Sequence, residues 1–162
     1  MKYLLAIVAT IGVMVVTTVA CGQTGLASSG SGTTTTILGH RATLSQNVQI
    51  NQDRIKLQTK DPTDVLVQTI TFKPHAFTGW HFHPGLVIVV VESGQVTTHD
   101  SNCQTATYGP HQTFVESGTT PFMVSNESDT ANAVVYATII VPAGSPFRAS
   151  IGPSSPPSSN SY

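Results

Sequence analysis

Charge is the scarcest property of this chain: only 9% of its 162 residues are Asp, Glu, Lys or Arg, and the formal net charge is −1. Lys and Arg total 7 and form no basic run, so the clustered positive surface needed for a nucleic-acid partner is excluded. Sustained apolar repeats at helical spacing are missing after residue 25, which argues against a helical domain. Cysteine is limited to Cys21 and Cys103, too few for a disulfide-stapled scaffold. A chain of this length has room for one domain of the usual ~100–150 residues, large enough to bury a core without such staples. Thr, Ser, Val and Gly fill the composition instead, a bias toward strands and turns.

The two ends read differently from the middle. Residues 1–20 have the form of a secretory signal: Lys2, an apolar stretch over residues 4–16, then small residues up to Ala20. An uncleaved anchor is the alternative, since a run of ~18 apolar residues can just span a bilayer, but no stop-transfer charges follow. Thr18-Val19-Ala20-Cys21-Gly22 resembles a bacterial lipoprotein signal, which makes Cys21 the candidate lipidation residue. Thr18 stands where Leu is usual, so ordinary cleavage and secretion stay open. Residues 21–36, rich in Gly, Ser and Thr, read as a flexible tether. The expected location is therefore outside the cytoplasm, as an envelope lipoprotein or a secreted protein, touching membrane only through the N-terminal signal or lipid. Residues 150–162, Pro- and Ser-rich, read as a disordered tail. Cys103 is either a small loop or core residue or the partner of an unlipidated Cys21.

Between these ends, residues 37–149 form the expected domain. Short β-like runs separated by turn signals occupy residues 65–72, 80–83, 86–91, 95–99, 113–116, 122–125 and 133–141. Lys73-Pro74, Ser93-Gly94, Gly109-Pro110 and Gly118 mark the turns. Residues 102–108 are a loop or short edge strand, and residues 37–57 supply one or two strands more. Residues 86–91 are apolar at every position, which predicts burial on both faces. The fold class expected is all-β, a sandwich or barrel with no helix longer than two turns.

Gly79-Trp80-His81-Phe82-His83-Pro84-Gly85, with Gly94 after the apolar strand, resembles the first conserved motif of small bacterial cupins. Tyr108-Gly109, Phe114-Val115-Glu116, Gly118 and Asn126 echo the second motif, and Ile140-Val141-Pro142-Ala143-Gly144 the family's ending. The resemblance implies a cupin-like antiparallel jelly-roll β-barrel closed over a central pocket. His81 and His83 alternate along one strand, so both imidazoles point the same way and suit one divalent transition metal: Zn, Fe, Mn, Ni or Cu. Affinity for such an ion should fall as pH drops toward ~6, because imidazole must be neutral to coordinate.

Two departures count against a full site. The family's usual Glu and third His fall at Val87 and Phe122, both apolar, which predicts a weakly held metal, since catalytic sites usually have three protein ligands. His75, standing where the family has a turn Gly, His111 and Glu116 are the candidates to supply a further ligand. His99 and Glu92 are expected to face solvent.

Three functions compete. The chain is a binding module holding a small molecule in a pocket lined by Val87, Val89, Phe114 and Phe122. Alternatively it is a metal-dependent enzyme of oxygenase or isomerase type, or a structural, partner-binding barrel in which the histidines merely pack. A homodimer is compatible with each.

Overall fold

The computed structural model of the chain describes residues 29–151. The expected signal at 1–20, the candidate lipidation residue Cys21 and the tail from 152 onward lie outside the described residues. Cys103 is disulfide-bonded rather than a free thiol; the sequence's other cysteine is Cys21.

No helix occurs among the described residues, and the strands run β1 (Ser31–Leu44), β2 (Gln49–Gln52), β3 (Ile55–Gln58), β4 (Thr63–Phe77), β5 (His81–Phe82), β6 (Leu86–Ser93), β7 (Val96–Asp100), β8 (Thr105–Tyr108), β9 (Thr113–Ser117), β10 (Phe122–Ser125), β11 (Ala133–Pro142) and β12 (Ala149–Ser150). Ten strands form one sheet in the order β12-β5-β10-β4-β11-β6-β9, with β1 added on β4 and the β7–β8 pair on β10. All pairings are antiparallel, and the sheet curls into the expected all-β, cupin-like jelly-roll barrel. The β2–β3 hairpin stands apart from it.

Strand alternation builds the core. On β11, Val135, Ala137, Ile139 and Val141 point inward and are at most 2% exposed. They meet Val87, Val89 and Val91 of β6 and Leu66 and Phe72 of β4. Each such side chain contributes about 1.5–3 kcal/mol by leaving water. Two glycines of the first motif serve this packing. Gly94 turns β6 into β7 at φ +71°, and a Cβ on Gly85 would lie 2.1 Å from the Ile140 carbonyl oxygen.

Four expectations need correction. Residues 31–36 are not tether but the start of β1, paired with β4 through contacts such as Thr33↔Phe72 and Thr35↔Ile70. A Thr-rich run cannot bury apolar area by itself, yet β-branched Thr suits a strand once a partner ladder supplies hydrogen bonds. The sheet also runs past residue 149, because Ser150 pairs with His81. Lys73-Pro74 does not end β4, which continues to Phe77. Pro74 falls in a register shift between the Thr33↔Phe72 and Ser31↔Phe77 pairs, where no ladder bond needs its missing N–H. Finally, β6 is buried on one face only: Ile88 and Val90 are 39% and 40% exposed, beside exposed Val115 and Tyr136. No second layer covers that outer face among the described residues, so an apolar run alone could not report two-sided burial.

Residues 37–57 contribute the rest of β1 with β2 and part of β3, one strand more than expected. Residues 102–108 resolve into a turn and then edge strand β8 over Thr105–Tyr108, paired to β7.

Candidate metal centre

β5 is only two residues long, but it is held on both sides, by β10 through Phe122↔His81 and by β12 through Ser150↔His81 and Ala149↔Phe82. That clamp sets the direction of His81, and alternation carries His83 to the same face. Both are buried, 3% and 6% exposed, with ring centroids 5.0 Å apart and planes at 83°.

The hydrogen-bond partners decide the tautomers. His81 Nδ1 lies 2.9 Å from the Gly79 carbonyl oxygen, and His83 Nδ1 meets the Phe147 carbonyl oxygen. A carbonyl only accepts, so each Nδ1 carries the hydrogen and donates it. In the neutral ring, Nε2 is then left with a lone pair. Both Nε2 atoms turn toward one oxygen of Glu116, at 3.4 Å from His81 and 3.1 Å from His83. That Oε2 is buried and has no hydrogen-bond partner.

Glu116 reaches the site from β9. Its Cα partner across the ladder is Val87 of β6, the very position where the family resemblance leads one to look for a carboxylate. Directly opposed residues share a face with Cβ atoms about 4.5–5.5 Å apart. The carboxylate therefore enters the same space from the neighbouring strand. Burial raises the Glu116 pKa, and hydrogen bonds and charge from His81 and His83 outweigh it when their Nε2 atoms carry protons; in the neutral rings those positions are lone pairs that a cation can take up. An ionised carboxylate facing two imidazole lone pairs is a donor set without a cation. Unpaired, a buried charge of this kind costs several kcal/mol.

The three ligand atoms all lie within 4.8 Å of one another, and the residues fit a transition metal with two imidazole nitrogens and one carboxylate oxygen. Three protein ligands leave coordination positions open. The two-ligand site expected from Val87 and Phe122 thus gains a third donor, and of the candidates it is Glu116. His75 is 66% exposed and faces Asp129 at 3.1 Å, away from the cluster. His111 sits in an exposed turn at φ 67°. Glu92 is exposed, whereas His99 is half-buried, with Nε2 2.8 Å from Ser125 Oγ.

His81, His83 and Glu116 stand on the wall of an internal cavity of about 410 Å³. Val87, Val89 and Phe114 line it as expected, with Ile70 and Phe72. Phe122 does not. It lines a smaller pocket of about 140 Å³ on the far side of His83 and Glu116, with Gly118 and Thr120. Five polar residues on the main cavity went unnoticed in the sequence: Thr33 and Thr35 of β1, Gln68 of β4, Thr78 just after β4, and Arg148 just before β12. Thr33 and Thr35 were hidden in a run that reads as linker. Gln68 alone bore a local signal, as a polar residue on the inward face of an otherwise apolar strand. Arg148 had none, since only the β12–β5 pairing brings it to the histidines.

No family model matches the chain, and no curated protein matches it. Solved structures do. A chain from the crystal structures of DMSP lyases is 22% identical with a TM-score of 0.43, over 53% of this chain and 41% of that one. A cupin-like protein from Thermotoga maritima is 19% identical with a TM-score of 0.47, over 54% of this chain and 65% of that one. A cupin domain from Bordetella pertussis Tohama I is 22% identical with a TM-score of 0.45, over 67% and 93%. The chain thus spans less than two thirds of the first two.

Proposed function

We propose that this protein is a metal-holding small-molecule barrel: His81, His83 and Glu116 bind one divalent transition metal, and a small molecule in the cavity completes its coordination. The observation that carries this is the convergence of two Nε2 lone pairs on the unpartnered, buried Oε2 of Glu116. The set supports metal-centred chemistry better than a degenerate two-ligand site, because three protein ligands with open positions are the usual arrangement of a catalytic metal. When bound, the metal supplies a Lewis acid to the cavity. The chain's own residues orient the imidazoles through Gly79 and Phe147 and exclude water with an apolar wall. The signal-like start supports export.

Titration with zinc tests the reading, comparing wild type with His81→Ala/His83→Ala and with Glu116→Gln. Zinc should bind wild type far more tightly than either variant, and manganese, iron, nickel and copper should compete where magnesium and calcium, which prefer oxygen ligands, do not. Equal affinity in wild type and in folded Glu116→Gln would show that the carboxylate is no ligand.

A further inference from the structure

The cavity wall carries a charge pattern that the metal reading does not use. Among the described residues, Glu116 is the only acidic side chain lining it and Arg148 the only Lys or Arg. Arg148 stands at the mouth, donating from one terminal nitrogen to Ser150 Oγ at 3.0 Å and from the other to the Thr78 carbonyl oxygen. These acceptors are neutral, and Arg148 makes no ion pair among the described residues. Partial burial pulls its pKa down and the Glu116 charge partly offsets that, although the residue as a whole is exposed, and both side chains line the same cavity. A guanidinium has five N–H donors in a planar fork, and these two contacts leave others for a ligand.

We propose that Arg148 makes this cavity a site for a small carboxylate, bound between the metal and the guanidinium. The proposal rests on the metal reading. With a divalent ion in place and neutral histidines, Glu116 cancels only one charge, and the ion and Arg148 leave the wall with two unbalanced positive charges. Set against a wall of Ile70, Phe72, Val87, Val89 and Phe114, with the exposed Arg148 at its edge, that excess draws an anion. A planar carboxylate also matches the guanidinium fork. The rest of such a ligand would lie along the apolar wall toward Gln68, Thr33 and Thr35. These three bring side-chain donors and acceptors to the cavity, so a polar group at the far end is accommodated.

Calorimetry on the zinc-loaded protein tests this with acetate and benzoate against acetamide and benzamide, which match them in shape and lack the charge. At least one carboxylate should bind about tenfold or more tightly than its amide. Arg148→Gln should lose that preference while its zinc affinity stays within about threefold of wild type, and Arg148→Lys should keep part of it. Thermal melts establish that each variant is folded, and the comparison of acid with amide in wild type stands even where a variant is not. Failure of wild type to bind zinc would overturn the metal reading and this proposal with it. Zinc binding with no carboxylate bound, with no preference over the amides, or with the preference intact in Arg148→Gln would overturn this proposal alone.

Discussion

Val87 and Glu116 show how one residue's meaning depends on the residue across from it. Read along the chain, Val87 is a missing donor; read across the β6–β9 ladder, its partner Glu116 is the candidate third donor. The exchange should be reversible. Glu116→Val is expected to lose zinc affinity tenfold or more, and adding Val87→Glu should recover a substantial part of it, because the two Cβ atoms share a face at about 5 Å. A double variant no better than Glu116→Val in zinc titration would show that the two positions do not reach a common point. His75 makes a second residue-scale case. It adopts φ 59°, the left-handed region, at the place where the family resemblance leads one to expect a turn glycine. An L-residue there costs roughly 1–2 kcal/mol, and the exposed contact with Asp129 returns about 0–1 kcal/mol. His75→Gly should therefore melt within about 1 kcal/mol of wild type, because relief of the strain is offset by the lost contact and glycine's own entropy cost. His75→Val, β-branched at positive φ, should lose about 1–3 kcal/mol in the same melts.

At the scale of the element, β4 does more than its sequence suggests, serving β1, β10 and β11 at once. The irregular stretch around Pro74 is tied down by Asn126, 1% exposed, from just beyond β10. Its Nδ2 group donates toward the carbonyl oxygens of Lys73 at 3.0 Å and Ala131 at 2.8 Å, with Phe72 at 3.3 Å, while its Oδ1 accepts from the Ser128 N–H. Asn126 thus fixes the β10–β11 turn against the β4 bulge, which explains its place in the second-motif echo without giving it a chemical role. Asn126→Ala leaves buried carbonyls without donors and is expected to cost of order 3 kcal/mol, read as a lowered denaturant midpoint. A loss below ~0.5 kcal/mol would place the bulge's stability elsewhere.

For the whole molecule, a network around Asp64 ties the end of β1, the start of β4 and the segment after β11 together at one edge of the barrel. Asp64, 2% exposed, accepts from Thr43 Oγ1 at 2.7 Å, the Gly144 N–H at 2.9 Å and Arg41 at 2.9 Å. Arg41 also donates to the Ser145 carbonyl oxygen and stacks over the Phe147 ring, whose backbone carbonyl orients His83. The Thr43 and Gly144 hydrogen bonds, with Arg41, hold the Asp64 pKa below its ordinary value against the opposing effect of burial. A carboxyl with a depressed folded-state pKa adds stability that is fully present above its unfolded pKa and is lost as pH falls through the folded one. The stability difference between wild type and Asp64→Asn should thus stay level above about pH 5 and shrink below ~4. A difference that stayed constant in denaturant melts from pH 6 down to 3 would mean the carboxylate's charge is not what matters.

Much of this was legible in the residues alone. Alternation gives a strand period of two, so the β6, β10 and β11 segments, the shared face of His81 and His83, and the turns at Gly94 and Gly118 follow from local chain geometry. The family resemblance, not local geometry, marked Val87 and Phe122 as apolar at the two remaining ligand positions. What neither could supply is which residue of one strand stands beside which residue of another. The Thr-rich run became β1 because β4 was there to pair with it, and Glu116 joined the histidines because the β6–β9 register sets it opposite Val87. Arg148 reached the cavity because β12 folds back onto β5. Register across a sheet is chosen by the burial of whole faces and by distant chain closure, and those energies exist only once the barrel is assembled.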